Sequence, residues 1–562
     1  MFVKITCSGS RRYVQLVESY RDDAGRVKKR TVATLGRLDQ LGGELDAVIN
    51  GLLKVSGRSP QAPPAIEFES ARALGDVWAL SELWKALGFE GLARVFRSRR
   101  YAMAVEALIR VMVLNRLCNP DSKLGVLRWL QTVAVPGIDT ARVTHQQLLR
   151  SMDALIDHQA KVDKVLAGLL RPLIDQALSV VFYDLTTLRA EGLSELKADV
   201  RQHGKAKEGM IARQFMLGVV QTAEGLPLYH EVFAGNTAET KTLMPTLAKV
   251  LERFPSVRRL ILVADRGLLS LDNLAELRAL RLSNGQPLEF ILAVPGRRYS
   301  EFAGLLECFH RRQCLSASEE VVGELGWQDL RLIVAHDPQA AQLQSQRRAE
   351  RIAELEAKAA HWVGTLEQQD EGVRRRGRKL SDSGAKARFY HAVCEAHLAK
   401  IIRVDLKGPL FSYEIGQDAL ALAEMMDGKL LLVTNAAELS PAQVVSRYKS
   451  LADIERGFRV LKSEIEIAPV YHRLPERIRA HTSICFIALI LYRVMRQRLR
   501  AAHTGISPER ALQSLRRIQH HRVRLNAAQP IAGISSISPA QKALFSALNV
   551  SQPVASRQMP LL

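Results

Sequence analysis

"SVVFYDLTTL", residues 179–188, sets an aspartate inside a run of valine, phenylalanine, tyrosine and leucine. β-branched and aromatic residues in so short a run predict a strand. A carboxylate buried there without partners is costly, so Asp184 needs a reason to be in it. Two further strand-like stretches follow, "IARQFMLGVVQT" (211–222) and "LPLYHEVFAG" (226–235), joined by an Ala-Glu-Gly turn at 223–225. Next come a helical stretch (239–254), the strand "RRLILVA" (258–264), a second helix (271–281) and the strand "EFILAVP" (289–295).

Three antiparallel strands followed by alternating helix and strand predict a mixed α/β sheet. This order, β-β-β-α-β-α-β, is that of the ribonuclease H-like fold. In it the first and fourth strands are neighbours, so Asp184 and Asp265, the latter from "LILVADRGLLS" (260–270), should stand side by side. Asp265 ends its strand, and α/β sheets take ligands at the carboxyl ends of strands. The last helix of the fold is expected late, in "YKSLADIERGFRVLKSEI" (448–465), read as one helix. Leu451, Ile454, Phe458, Leu461 and Ile465 make its apolar stripe, while Tyr448, Glu455 and Lys462, spaced by seven, share an edge beside it. An insertion at about 298–430 separates this helix from the preceding strand. It carries a charged helix (345–369), the basic loop "VRRRGRK" (373–379) and the strand-like pieces "LRLIVAH", "IIRVDL" and "KLLLVTN".

Upstream, "RRYVQLVESYRDDAGRVKKRTVATLGR" (11–37) reads as two strands around a turn, and "SGRSPQAPPA" (56–65) as a linker. Residues 70–178 are helical in pattern, with Ser122 the expected cap of "KLGVLRWLQ". The division expected from this reading is a β segment (1–60), a helical domain (61–178), a core in two parts (179–297 and 431–500), the insertion (298–430) and a C-terminal tail (501–562).

With 79 Lys plus Arg against 58 Asp plus Glu, the 562 residues carry a net charge of +21. That excess points to a polyanionic partner, nucleic acid before membrane. Six scattered cysteines exclude a disulfide framework. The apolar run "ICFIALILY" (484–492) is too short to span a bilayer, and no signal peptide is visible, so a cytoplasmic, nucleoid-associated protein is expected. Cys308, His310 and Cys314 lie close together in "CFHRRQC", but no fourth zinc ligand follows at a usual spacing.

Asp184, Asp265 and Glu455 each have a plain alternative. Thr186 or Thr187 could satisfy the first, the Asp-Arg-Gly turn could explain the second, and an ion pair with Arg459 the third. Three carboxylates brought together in a polycationic chain favour instead a site for Mg²⁺ or Mn²⁺, since clustered carboxylates repel unless hard cations intervene. Two such ions can activate water and stabilise a leaving oxygen in phosphodiester chemistry.

With these blocks in place, the sequence resembles the DDE transposases of bacterial insertion sequences, in the group with a Y-R-E-K signature on the late helix. Tyr448, Glu455 and Lys462 match that signature, whereas Leu451 stands where the arginine is expected. "FYDLTTL", "GLPLYHEVFAGNTAE" and "ADRG" resemble the group's other blocks. The resemblance implies Asp184, Asp265 and Glu455 as catalytic ligands of two Mg²⁺ or Mn²⁺ ions. It also implies phosphate contacts from Tyr448 and Lys462. Arg459, on the same stripe one turn past Glu455, is a candidate stand-in for the missing arginine, and Arg266, directly after Asp265, a candidate DNA contact. The implied activity is cut-and-paste transposition: binding of inverted-repeat ends of double-stranded DNA, hydrolysis, strand transfer into target DNA, and a homodimer formed on DNA. The rival readings are a nuclease of the same fold without strand transfer and a non-catalytic DNA-binding descendant.

Overall fold

The computed structural model describes all residues except 42–44, 58–65, 98–103, 175–178, 193–198, 206–210, 266–270, 316, 373–378, 526–528 and 555–562. At a few helix and strand positions, 452–456 among them, it describes the backbone alone. The chain is mixed α/β and divides into two compact units, Met1–Ala71 with His521–Gly533, and Arg72–His520 with Ile534–Leu562.

In the first unit, Phe2–Ser8, Arg11–Arg21 and Val27–Arg37 pair as an antiparallel sheet. The second and third are the two strands expected; the first, exposed along most of its length, has no buried alternation to announce it. Asp22 makes the turn, accepting from the N–H groups of Ala24 and Arg26.

The second unit opens with helices at Gly75–Ala86, Val105–Cys118, Lys123–Leu130, His145–Asp157 and Gln159–Leu170. Ser122 caps the third of these, its hydroxyl accepting from Gly125 N at 3.0 Å. Its sheet is built from β1 (Ser179–Arg189), β2 (Gln202–Lys205), β3 (Ile211–Thr222), β4 (Pro227–Ala234), β5 (Leu260–Ala264), β6 (Glu289–Ala293), β7 (Val321–Trp327), β8 (Leu330–His336) and β9 (Lys429–Thr434). Across the sheet the order is β7-β8-β9-β6-β5-β1-β3, with β2 and β4 both paired to β3. β1, β5 and β6 run parallel, and β3 and β4 alternate antiparallel beyond β1. The helices that follow are α1 (Leu243–Arg253), α2 (Leu271–Ala279), α3 (Pro338–Asp370), α4 (Asp382–Glu395), α5 (Gln417–Met426), α6 (Pro441–Lys449), α7 (Ala452–Ser463) and α8 (Pro475–Ala501).

Two parts of the expected division differ from the sequence reading. The stretch 298–430 is not wholly a separate insertion, because β7, β8 and the start of β9 extend the main sheet past β6. Only α3, α4, α5 and a short hairpin gather around a core of their own, including Leu355, Phe389, Val393 and Ile402. Apolar strands such as "LRLIVAH" and "KLLLVTN" bury both faces by joining an existing sheet, a choice local pattern does not reveal. The expected tail after 500 holds helices Pro508–Arg516 and Pro539–Ala547 and strands Gln519–Leu525 and Ile531–Ile534. The apolar run at 484–492 lies in α8, which is long and apolar enough to cross a membrane but has 94% of its apolar window buried inside the protein. It packs against His145–Asp157, Val105–Cys118 and β4, which makes it a core helix.

Beside α8 lies a buried cationic cluster. Lys123 is 5% exposed, and burial beside the Arg116 guanidinium lowers its ammonium to about 7. In the unfolded chain the same group titrates near 10.5. Between those values the unfolded chain holds a proton the folded one lacks, so stability rises with pH across that window; near and below pH 7 the full penalty of a buried charge applies. Lys123→Met is therefore expected to stabilise the protein by about 2–4 kcal/mol at neutral pH. Thermal melts at pH 7 and pH 10 check this: the gain should shrink at the higher pH, and equal melts at pH 7 would count against it.

Candidate active site

β1 and β5 are adjacent and parallel, with Tyr183 opposite Ala264 in register. The next residue on each strand is an aspartate, so Asp184 and Asp265 stand side by side at the carboxyl end of β5, both half-buried. Their face of the sheet follows from Tyr183, whose phenol lies against Thr242 and Thr246 at the start of α1. Successive strand residues alternate faces, so Asp184 turns to the opposite side. There α6 packs over β5 and β6, and α7 packs against β1. Asp184 Oδ1 accepts from Leu185 N at 2.7 Å.

Tyr448, on α6, donates its hydroxyl to Asp265 Oδ1 at 2.8 Å. The phenol for which resemblance implies a phosphate contact is thus also a partner of the carboxylate. The same end of α6 is tied down by Lys449, whose ammonium meets Glu320 at 2.6 Å.

The single helix expected over 448–465 is two. The Ser450 hydroxyl donates back to Ser446 O at 3.0 Å, and Leu451 N–H reaches only to Tyr448 O, three residues back. Serine back-bonding and a tightened turn interrupt the α ladder there. Helical periodicity survives such a break, so sequence pattern misses it. The break matters, because Tyr448 serves β5 while the following helix runs against β1.

Glu455 lies in the first turn of α7, and its side chain, like the whole of Arg266, is outside the described residues. Arg459 and Lys462 are exposed further along α7. Beyond its first turn the helix is held by its buried face. Phe458, Leu461 and Ile465 are buried. Past its end Val470 bridges to Ala190, directly after β1, with Glu191 N donating to Val470 O at 2.8 Å. The helix bearing Glu455 is therefore registered against the strand bearing Asp184.

One contact on this helix has no sequence signal beyond a glycine at a mid-helix position, normally unfavourable. A Cβ on Gly457 would meet the Gln221 amide at 2.8 Å and the Arg493 guanidinium at 2.9 Å. The glycine lets α7 lie close to β3 and α8. Gly457→Val is expected to lift the helix, costing about 1–3 kcal/mol of stability. If Glu455 acts with the aspartates, cleavage should fall ~100-fold from misplacement. The Gly457→Ala change should be milder, since the opposing atoms end flexible side chains. Unaltered cleavage by the valine variant would separate α7 from the chemistry.

The remaining sequence candidates resolve plainly. His310 Nδ1 faces Lys429 Nζ at 3.0 Å, Cys308 is exposed and Cys314 buried, an arrangement with no zinc geometry. His481 is a packed histidine whose Nε2 meets Ile467 O at 3.0 Å. Among the described residues no three His, Cys, Asp or Glu side chains form a metal-binding group. Asp184 and Asp265 supply a pair of hard oxygen donors on neighbouring strands, a donor chemistry suited to Mg²⁺ or Mn²⁺.

Residues 3–64 match the IS1634 family transposase, N-terminal domain. No curated protein matches the chain. The matched segment contains the three-stranded N-terminal sheet. This likeness supports an insertion-sequence transposase.

Proposed function

We propose that the chain is a DDE transposase that binds the inverted-repeat ends of its insertion sequence and catalyses cut-and-paste DNA cleavage and strand transfer. The observation that carries the reading is the pair Asp184 and Asp265 on adjacent parallel strands. Tyr448 is bonded to one of them, and the helix bearing Glu455 is pinned to the strand bearing the other. The order β4-β3-β1-β5-β6 agrees with the one expected of a ribonuclease H-like core, which supports the same reading.

In this reading Asp184, Asp265 and Glu455 hold two divalent ions. Such ions would supply an activated water and charge stabilisation at the leaving oxygen. Tyr448 orients the Asp265 carboxylate through its hydrogen bond. Lys462 and Arg459, exposed on α7, supply positive charge for the phosphates of the DNA end, an ammonium as a point charge and a guanidinium as a fork. Leu451 cannot make the contact of the signature arginine, and Arg459, one turn past Glu455 on the same helix, would take it over. The double-stranded DNA partner accounts for the net charge, and a dimer on DNA would bring two ends together.

The test is incubation of the full chain with Mg²⁺ and a duplex carrying the element's own ends. Joined products support transposition. Cut but unjoined ends would point to a nuclease, and binding alone to a non-catalytic protein.

A further inference from the structure

The carboxyl edge of the sheet continues past the two aspartates. β6 is parallel to β5, and its chain leaves into the segment Gly296–Phe302. β8 runs in the same direction, since both it and β6 pair antiparallel with β9. From its end Asp337 caps α3, accepting from Gln339 N and Ala340 N. Between the 296–300 segment, the first turns of α3, the turn at 396–401 and the end of α5 is a cleft of about 620 Å³.

Its charge is one-sided. Arg297, Arg347, Arg348, Arg351 and Lys400 face it, against a single carboxylate, Asp427. Asp427 is buried and already spent on an ion pair with Arg348. Arg297, Arg347, Arg351 and Lys400 are exposed, and among the described residues none of them forms an ion pair. Arg347 and Arg351 are one helical turn apart, on one face of α3. A concave site lined by four such cations from three chain segments focuses positive potential, and an extended polyanion satisfies it best.

We propose that this cleft is a phosphodiester-backbone site that grips the DNA duplex beside the cleavage centre. This rests on the reading that Asp184 and Asp265 act on DNA. From β5 to β8 is three strand spacings, about 14 Å. At one phosphate per 3.4 Å on each strand, the gripped phosphates lie about four base pairs from the one being cut. The cleft reads no base; it fixes where the duplex lies along the edge.

The experiment measures binding of the full chain to a labelled duplex by fluorescence anisotropy over a range of salt concentrations. Each phosphate contact contributes about −0.9 to the slope of log K against log salt. Arg347→Ala with Arg351→Ala is expected to make the slope shallower by nearly 2 and to weaken binding about ten- to a hundredfold at 0.1 M salt. Arg297→Ala with Lys400→Ala, from the other two lining segments, should act alike, and Arg347→Lys with Arg351→Lys should restore most of the slope. Unchanged slopes in both alanine pairs, with the parent protein binding DNA normally, would overturn the cleft alone. A parent protein with no affinity for DNA would overturn the transposase reading and the cleft with it. Loss of ATP or duplex RNA binding in the alanine pairs, with DNA binding intact, would also overturn the proposal.

Discussion

Asp184→Asn is expected to reduce cleavage of end-bearing DNA by at least ~10³-fold, about 4 kcal/mol of transition-state stabilisation. The asparagine keeps the volume and removes the negative charge. Asp184 sits half-buried in the middle of β1, level with the end of β5, and its bond from Leu185 N–H is one an amide oxygen can still accept. The melting temperature should therefore barely move. DNA affinity should change less than about threefold, because backbone binding depends on cations. A purely structural aspartate would show the reverse, a lower melting temperature with cleavage retained. Cleavage rates on gels, anisotropy titrations and thermal melts of the same preparation distinguish the two outcomes.

Gly235→Ala is the substitution expected to cost most in stability, about 3 kcal/mol. β3 is longer than either partner on its outer side. β4 pairs with its residues Phe215–Gln221, and β2 with Ile211–Gln214. Gly235 sits at the junction, directly after β4, with its N–H on Val200 O at 3.0 Å and its carbonyl accepting from Gln214 Nε2 at 3.2 Å. An added Cβ would lie 1.9 Å from Gln214 O and 3.0 Å from Gln202 O. Both are backbone atoms of paired strands, so relief requires moving the ladder rather than turning a side chain. Denaturant unfolding of the variant checks the magnitude, and a loss under ~1 kcal/mol would show that the junction yields easily.

These two residues also mark how far the sequence could be read. Asp184 announced itself, because a carboxylate in an apolar strand has no local excuse. Asp265 did so by closing a strand of five fully buried residues. Strand order followed from the alternation of periods along 179–295, and the observed neighbours β1 and β5 are the pair that order predicts. Gly235 gave no comparable signal. Its neighbours across the sheet, Gln202 and Gln214, are set by a ladder that exists only once three strands are assembled. The same limit explains β7, β8 and β9: their apolar residues declared strands, but the edge of β6 decided where those strands went. It explains the interrupted helix as well, since Ser450 keeps helical spacing while its hydroxyl takes a backbone acceptor.

From the amino-acid order alone came the α/β class, the expectation of a polyanionic partner and the choice of Asp184 and Asp265 as candidate residues, because burial pattern and net charge are properties of the chain taken locally or in total. Tertiary structure decided what local pattern cannot encode. It bonded Tyr448 to Asp265, pressed Gly457 against Gln221 and Arg493, and gathered Arg297, Arg347, Arg351 and Lys400 around one cleft. Each of these joins residues far apart in the chain, and such contacts form only when packed elements fix both partners in space.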